Sequence, residues 1–375
     1  MGEQVLVTGG AGFIGSHLVD ALLERGHAVR VYDNLCSQVH GDEGTIPAHL
    51  SPDAEFIKGD VRDIDTLRRA LTGVDVVFHK AAAVGVGQSM YQIREYTEVN
   101  TLGAANLLQI LAEGGHRVRK VIVASSMSIY GEGAYRHPQG HLVLRPGLRP
   151  ARQLAQHDWA MRDAGDGAAL EPVPTPETKP LEPNSIYAIN KRDHEEMVLC
   201  AGVAYGFSAV ALRYFNVYGP RQALSNPYTG VMAIFSARYL NGRAPVIFED
   251  GQQTRDFVHV SDVVQANLLA MERDTGPAAA FNVGTGVFTP VLTVAEELAK
   301  LLGFEEPPDI PGQFRAGDIR SCVADISLAR ERLGFVPCVS LAQGLKELVG
   351  WVQGQSAEDR VDEAVAELRR RGLAG

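Results

Sequence analysis

Short apolar runs alternate with amphipathic stretches through the first half of the chain. Nearly continuous apolar runs predict strands that are buried on both faces, and a helical spacing of apolar residues predicts the connecting helices. The pattern predicts a helix over Phe13–Arg25. It predicts strands over Val5–Thr8, Val29–Tyr32, Glu55–Lys58, Val74–His79 and Val121–Ser125. This alternation indicates an α/β fold, a Rossmann-type doubly wound parallel sheet whose strands end at one common edge.

The pattern breaks over residues 132–183, which are rich in Pro, Gly, Arg and His. The stretch is too long for an ordinary connection, so we interpret it as an inserted subdomain or lid. A helix is predicted over Ile186–Ala204 and a strand over Val210–Tyr214. These elements complete a main domain that we assign to residues 1–215.

For residues 216–355 we predict a smaller C-terminal lobe, because the pattern there combines short strands such as Pro245–Phe248 with helices and Gly/Pro turns. A strand near residues 280–283, Ala280–Val283, is expected to return to the main sheet. Residues 356–375 are assigned to a C-terminal helix, with a charged amphipathic pattern over Ala357–Arg371. We expect the lobe to contribute the substrate site.

Composition narrows the functional classes. The 375 residues are 45% hydrophobic and 21% charged, which favours a sizeable core, and the net charge of −10 argues against a nucleic-acid partner. No run reaches the roughly 18 apolar residues of a membrane span, and no basic leader opens the chain, so we expect a cytoplasmic protein without a membrane partner. The four cysteines form no CxxC pair and predict neither a disulfide framework nor a metal cluster.

The strongest motif is a glycine-rich turn between the first strand and the first helix, with Gly9, Gly12 and Gly15. The first glycine allows a tight turn, the second lets a pyrophosphate approach the backbone, and the third lets helix and strand pack closely. Asp33 ends the second strand, where a carboxylate can accept bonds from ribose hydroxyls and repel a 2′-phosphate. The pattern therefore predicts NAD rather than NADP, and Asp60 after another strand is a further candidate contact.

Tyr187 and Lys191 are four residues apart, so a helix places them on one face. A neighbouring ammonium group and a cationic nicotinamide would lower the pKa of the phenol and make Tyr187 a usable base. Ser126, at the end of a predicted strand, could hold the reacting oxygen. We take these three residues as the catalytic candidates.

In this order, the motifs resemble the extended short-chain dehydrogenase/reductase family, specifically its nucleotide-sugar epimerases and dehydratases. The resemblance covers nearly the whole chain and implies proton exchange by Tyr187, ribose binding by Lys191 and polarisation of the sugar oxygen by Ser126. It implies NAD contacts at Gly9, Gly12, Phe13, Ile14, Gly15, Asp33, Asn34, Asp60, Val61, Ala81, Ala82, Asn100, Tyr187 and Lys191. For the nucleotide-diphosphate sugar it implies contacts at Ser126, Asn216, Arg221, Arg255, Arg315, Asp318 and Cys322.

Within that family, the sugar 4,6-dehydratases carry Asp-Glu after the active-site threonine, whereas this chain has Met127 and Ser128. The resemblance therefore favours a redox-neutral 4-epimerase over a dehydratase. The alternatives are a UDP-sugar 4-epimerase, a uronate decarboxylase, a nucleotide-sugar 4-ketoreductase and, from another class, a non-catalytic dinucleotide sensor.

Residues 222–231 and the end of the insert resemble bacterial dTDP-L-rhamnose 4-epimerases, which make dTDP-6-deoxy-L-talose. Such relatives carry paired cysteines in the insert, but this insert has only His137, His141 and His157, so we predict no metal. Cys322 stands where some UDP-galactose epimerases have a bulky tyrosine, and a smaller side chain would leave more room for the sugar. The resemblance also implies a homodimer that pairs the helices predicted over Tyr91–Glu113 and Ile186–Ala204.

Overall fold

The computed structural model describes residues 2–41, 44–314 and 317–373. Its strands are β1 Gln4–Thr8, β2 Ala28–Asp33, β3 Glu55–Lys58, β4 Val76–His79, β5 Lys120–Ser126, β6 Ala134–Arg136, β7 Leu142–Val143, β8 Glu171–Val173, β9 Ser208–Tyr214, β10 Asn216–Tyr218, β11 Thr254–Arg255, β12 Phe257–His259, β13 Ala278–Val283, β14 Thr289–Pro290 and β15 Ser321–Cys322. Its α-helices are α1 Phe13–Glu24, α2 Ser37–His40, α3 Ile64–Ala70, α4 Val86–Ser89, α5 Ile93–Tyr96, α6 Gly103–Glu113, α7 Ala151–Leu154, α8 Ile186–Tyr205, α9 Val231–Leu240, α10 Val260–Glu272, α11 Val291–Leu302, α12 Ser327–Leu333, α13 Leu341–Val352 and α14 Val361–Arg370. A π-helical turn, Thr97–Leu102, joins α5 to α6, and a 3₁₀ turn, Met127–Tyr130, follows β5.

The central sheet has seven strands in the order β13-β9-β5-β4-β1-β2-β3, and every neighbouring pair is parallel. One face packs against α1 and α10, and the other against α3, α6 and α8. The strands are apolar on both sides because helices cover both faces. The predicted Rossmann-type fold is confirmed, and β13 joins β9 at the sheet edge as the pattern predicted.

The strand order reverses between β1 and β4, since β2 and β3 lie on one side and β5, β9 and β13 on the other. In open parallel sheets such a switch point leaves a crevice at the carboxyl ends of the strands. The glycine turn after β1 and the 3₁₀ turn after β5 both open onto this edge. The fold therefore brings the predicted motifs to one side of the molecule.

The C-terminal lobe has its own apolar core, built mainly from α9, α11 and α13. The insert forms a small antiparallel sheet in the order β7-β6-β8 and packs against this lobe. Its Arg149 guanidinium donates two hydrogen bonds, of 2.8 and 2.7 Å, to the Glu249 carboxylate, and both side chains are buried. A buried bidentate ion pair is costly to break, so it fixes the position of the insert.

Two local predictions differ from the structure. Pro245–Phe248 is not a strand, and only Val246 forms an isolated bridge, to Asp309, since Pro245 has no N–H to donate. The helix predicted over Tyr91–Glu113 is split into α5, the π-helical turn and α6. The wider turn holds Asn100, whose side chain bonds the backbone of Ala83.

Candidate functional site

A cavity of about 530 Å³ runs along the carboxyl ends of the strands, between the main domain and the C-terminal lobe. One end is lined by the glycine turn and the ends of β2 and β3, and the other by the end of β5, α8 and the segment 214–232. The predicted residues that line it are Gly9, Gly12, Phe13, Ile14, Gly15, Asp33, Asn34, Asp60, Val61, Ala81, Ala82, Ser126, Tyr187, Lys191 and Asn216.

The three glycines of the turn have different surroundings, and these match the roles predicted for them. Gly9 has a φ of +68°, and a Cβ there would lie 2.7 Å from the Ala81 nitrogen. A Cβ on Gly15 would lie 2.2 Å from the Gly9 oxygen, so only glycine lets α1 begin so close to the turn. A Cβ on Gly12 would meet only the Gly9 oxygen, at 3.4 Å, so this position opens onto the cavity, where a pyrophosphate could approach.

At this end of the cavity, the carboxylates already have protein partners. Asp33 accepts hydrogen bonds from the backbone N–H of Ala11, at 3.1 Å, and of Leu35, at 2.9 Å, so it also braces the glycine turn. Burial alone would raise the pKa of Asp60, but hydrogen bonds from Arg62 and Asn34 hold that pKa lower, at about 2. Asp60 is therefore a charged member of a paired cluster and not a free acceptor.

The opposite end gathers the catalytic candidates. Ser126 closes β5 and caps the following turn, while Tyr187 and Lys191 lie in the first two turns of α8, which Ser185 caps by accepting from the Ala188 N–H. The Lys191 ammonium donates to the Ala124 carbonyl at 2.9 Å and lies 5.9 Å from the centre of the Tyr187 ring. Tyr187 and Ser126 both line this end of the cavity, and Ser126 is near enough to act on the pKa of the phenol, so serine, phenol and lysine lie together in one buried place.

The protein by itself does not lower the pKa of the phenol, and the expectation that the lysine together with a cationic nicotinamide lowers it stays a prediction. Burial raises the pKa of Tyr187 to about 12, although the nearby Ser126 hydroxyl acts in the opposite direction. Burial also lowers the pKa of Lys191 to about 7. Both shifts penalise the charged forms, so a phenolate needs further positive charge in the cavity.

Sequence reasoning missed a second lysine in the cavity. Lys80 directly follows β4, and its ammonium group donates to the Tyr214 hydroxyl at 2.8 Å. The available signal was a lysine between the buried strand Val76–His79 and the three alanines at 81–83. The orientation of the Lys80 side chain could not be deduced from the sequence, because its partner Tyr214 is 134 residues away.

Two predicted asparagines differ in their placement. Asn100 is buried and does not line the cavity, since its amide bonds both the N–H and the carbonyl of Ala83 and so holds the segment after β4. Asn216 does line the cavity, and its Oδ1 is buried without a hydrogen-bond partner. The Gln222 Oε1, also at the cavity, is in the same situation. Buried acceptors of this kind fit a ligand that carries N–H or O–H donors.

Two of the arginines predicted to bind the diphosphate, Arg221 and Arg255, do not line the cavity. Arg221 pairs with Asp20 at 2.7 Å, and Arg255 contacts Asp318 at 3.4 Å and the Ile319 carbonyl at 2.8 Å. None of Arg221, Arg255 and Asp318 is a lining residue, so a ligand role requires these contacts to rearrange. Arg315 lies outside the described residues.

Cys322 does not line the cavity either. It is buried in an apolar cluster that includes Met127 and Phe215, and its thiol faces Thr175. Burial raises the pKa of this thiol to about 12, so it is uncharged. The side chain therefore acts as packing behind the cavity wall, and any effect on sugar size would be indirect.

The insert does bring His137, Asp163 and Asp166 together, with one ligand atom of each within 4.8 Å of the others. The His137 Nδ1 accepts from the Gln139 N–H, so its Nε2 carries the hydrogen that faces the Asp166 carboxylate at 3.2 Å. This arrangement is a hydrogen-bonded pair between two turns. Our expectation of no metal stays a prediction.

Comparison with known proteins decides the family. The chain matches the NAD dependent epimerase/dehydratase family over residues 5–152 and 164–284. The chain belongs to this family. It is 34% identical to the dTDP-L-rhamnose 4-epimerase of Burkholderia thailandensis, over 94% of this chain and 95% of that protein. It is 31% identical to the UDP-N-acetyl-alpha-D-glucosaminuronate decarboxylase of Bacillus cytotoxicus, over 94% and 98%.

Solved structures give the same family. The UDP-glucose 4-epimerase of Thermotoga maritima with UDP-glucose has a TM-score of 0.75 and 34% identity, covering 93% of this chain and 98% of that one. The UDP-glucose 4-epimerase of Thermus thermophilus in complex with NAD has a TM-score of 0.73 and 32% identity, covering 94% and 99%.

As a member of this family, the chain is an enzyme, an NAD-dependent epimerase. The alternative of a non-catalytic dinucleotide sensor is therefore rejected. The cavity fits that cofactor, since Gly12 opens onto it at the start of α1, where a pyrophosphate could approach the backbone. In the part of the chain that the structure describes, no helix is both long and apolar enough to cross a bilayer.

Proposed function

We propose that this family member is a nucleotide-sugar 4-epimerase that interconverts dTDP-L-rhamnose and dTDP-6-deoxy-L-talose. The observation that carries the 4-epimerase assignment is the buried cluster of Ser126, Tyr187 and Lys191 at the end of the dinucleotide cavity. The positions after Ser126 carry Met127 and Ser128, so the cluster lacks the acid/base pair of a dehydratase.

Two observations support the deoxysugar substrate. The segment 222–231, on which the resemblance to dTDP-L-rhamnose 4-epimerases rests, lines the cavity through Gln222, Asn226, Tyr228 and Thr229. The identity to the Burkholderia thailandensis dTDP-L-rhamnose 4-epimerase also extends over 94% of the chain. Relatives of comparable identity are UDP-glucose 4-epimerases and a decarboxylase, so the substrate is the part of this proposal that most needs a test.

NAD, which the glycine turn, Asp33 and Lys191 would hold, would supply the acceptor and then the donor of the hydride at C4 of the sugar. Tyr187 takes the proton from the C4 hydroxyl and later gives it back, so no external acid or reductant is consumed. Ser126 lines the same end of the cavity as the phenol and is placed to orient the reacting oxygen against it. Lys191 holds positive charge beside the phenolate and is placed to hold the nicotinamide ribose.

The test is incubation of the purified protein with a panel of dTDP- and UDP-sugars, without added cofactor, followed by separation of the products. We expect dTDP-L-rhamnose to give an isomer of equal mass, and Tyr187→Phe to give none. Conversion of UDP-sugars alone would keep the mechanism and remove the deoxysugar. Loss of carbon dioxide from a uronate would support the decarboxylase instead. Turnover only with a keto-sugar and added NADH or NADPH would establish a ketoreductase.

A homodimer is part of the same proposal. Helix α8 exposes the apolar side chains of Ile189 and Val203, and the π-helical turn exposes Leu102. Apolar side chains on neighbouring helices fit an isologous four-helix contact. Sedimentation equilibrium should give twice the chain mass for the wild type and a lower mass for Val203→Arg, whereas a wild-type monomer would contradict the dimer. Cytoplasmic localisation stays a prediction.

A further inference from the structure

The second lysine of the cavity has a defined position. The Lys80 ammonium donates to the Tyr214 hydroxyl at 2.8 Å, and that hydroxyl donates in turn to the Asn267 Oδ1 at 2.9 Å. Because the hydroxyl hydrogen is directed to Asn267, the phenol oxygen is free to accept from the lysine. Lys80 is deep in the protein, yet part of its surface faces the cavity.

Sheet topology places this charge at the reacting end of the cavity. Lys80 leaves β4, and Tyr214 ends β9, with β5 between these two strands. Tyr214 is paired in register with Ser126, the last residue of β5. The side chain therefore extends past the end of β5, away from β1 and β2, which carry the glycine turn and Asp33.

Lys191 reaches the same strand end from the other face of the sheet. It projects from α8 and bonds the Ala124 carbonyl, whereas Lys80 lies against Phe78 and Tyr214 on the side of α1 and α10. Two lysines thus flank the place where Ser126 and Tyr187 meet. Among the described residues, neither lysine forms an ion pair, and the polar partners of the two Nζ atoms are a hydroxyl and a carbonyl.

The surroundings of Lys80 act on its charge in opposite directions. Burial and the nearby Lys191 lower the pKa of Lys80. The Tyr214 hydroxyl oxygen accepts from the nitrogen, and the Phe78 ring centre lies 5.4 Å from it, and both contacts favour the ammonium form. The pyrophosphate of a bound dinucleotide brings negative charge into the same cavity, which favours the ammonium further.

We propose that Lys80 is a positioning charge that shifts the redox balance of the bound dinucleotide towards NADH. Oxidation at C4 breaks the C–H bond and sends its electron pair, as hydride, to the nicotinamide, while the hydroxyl proton passes to Tyr187. The cationic ring becomes neutral in this step. A fixed positive charge at that end of the cavity disfavours the cation and leaves the neutral ring unaffected, so it favours the oxidised sugar together with NADH.

The proposal rests on NAD binding and not on the identity of the sugar. A redox titration of the purified holoenzyme, followed by the absorbance of reduced nicotinamide, therefore tests it without any substrate. Lys80→Met removes the charge and keeps the length of the side chain, and Lys80→Arg keeps a charge. Lys120→Met is the matched control, since Lys120 is a buried lysine at the opposite end of β5 that bonds the carbonyl of Ala270.

We expect Lys80→Met to lower the ratio of bound NADH to bound NAD⁺ about tenfold at a fixed potential. Lys80→Arg and Lys120→Met should stay near the wild-type ratio. An unchanged ratio in Lys80→Met, or an equal change in Lys120→Met, would overturn the proposal. If Lys80→Met loses its dinucleotide during purification, the dissociation constants of NAD⁺ and NADH are measured instead. A purely structural role of Lys80 would weaken the binding of both alike, whereas the charge effect would change the ratio of the two constants.

Discussion

The two ends of the cavity handle charge in opposite ways. We expect the adenosine at the end of the cavity that the glycine turn and the ends of β2 and β3 line, and we call it the adenosine end. There Asp60 is partly exposed and paired with Arg62, and Asp33 accepts from two backbone N–H groups. At the reacting end, Lys80 and Lys191 are enclosed without a carboxylate partner among the described residues, next to Tyr187. At one end the charged groups have protein partners, and at the other two buried lysines lie without a counter-charge among the described residues.

This difference separates binding from chemistry. Paired charges at a surface contribute little on their own, so changes at the adenosine end should alter affinity modestly. Unpaired charges in a buried place act strongly on any group that changes charge there, such as a phenol or a nicotinamide ring. Variants at the two ends should therefore differ in the quantity that they change.

The largest expected effect is that of Tyr187→Phe. Removal of the phenol should lower kcat by about 10²–10⁴-fold, because no other group at the site takes the hydroxyl proton, while NAD binding stays near normal. Turnover assays and NAD titrations check this. Tyr32→Phe is the control, since it removes a hydroxyl that donates to the Asp60 carbonyl at the other end. Near-normal activity in Tyr187→Phe would remove the proposed base.

The buried cation predicts a pH effect on stability. Burial lowers the pKa of Lys191 to about 7, whereas an unfolded lysine titrates near 10.5. Between these values the unfolded chain binds more protons, so the free energy of unfolding contributed by this group rises with pH. Without cofactor, the wild type should gain about 4 kcal/mol relative to Lys191→Met from pH 7 to 10.5. Urea unfolding across this range measures it, and parallel curves for the two proteins would contradict it.

At the adenosine end, Asp33→Ala should raise the dissociation constant for NAD about tenfold and relax the rejection of NADP. The carboxylate both braces the glycine turn and is placed to meet the ribose. Binding titrations with the two dinucleotides check this, with Asp75→Ala as the control, since the Asp75 carboxylate accepts from the Gln4 N–H at the other end of β1. If the affinities for NAD and NADP fell equally, Asp33 would only hold the glycine turn in place and would not select between the two dinucleotides.

The smallest effect is expected from Asp60→Asn. Asp60 is engaged by Arg62 and Asn34, so an amide at this position should change the NAD affinity by only about threefold. The same titrations apply. A loss as large as that of Asp33→Ala would show that the ion pair opens when the dinucleotide binds and that the two ends are less different than proposed.

The central sheet was predictable because its strands are short, continuous apolar runs such as Val76–His79. The glycine turn and the Tyr187/Lys191 pair were predictable because local spacing alone places them. The carboxyl edge of a parallel sheet then accounts for their meeting in space. The break at Pro245 was missed because its short apolar run imitates a strand.

The contacts that were missed depend on distant partners. Lys80 is aimed by Tyr214, and Arg221 is held by Asp20, which is 201 residues away in the sequence. A sequence motif shows that an arginine is present, but it does not show that a distant carboxylate forms an ion pair with it. The elevated pKa of Tyr187 likewise results from burial, which the YxxxK spacing does not contain.

The most direct test of the account follows the hydrogen at C4. The purified protein would be incubated with its nucleotide-sugar substrate carrying deuterium at C4, first of all dTDP-L-rhamnose, and the product examined by mass spectrometry and NMR. Because the cavity holds the dinucleotide while the hydride leaves and returns, we predict a 4-epimer that keeps its deuterium at C4. An epimer that has exchanged this deuterium for solvent hydrogen would contradict the account, since it would mean proton abstraction from carbon instead of hydride transfer.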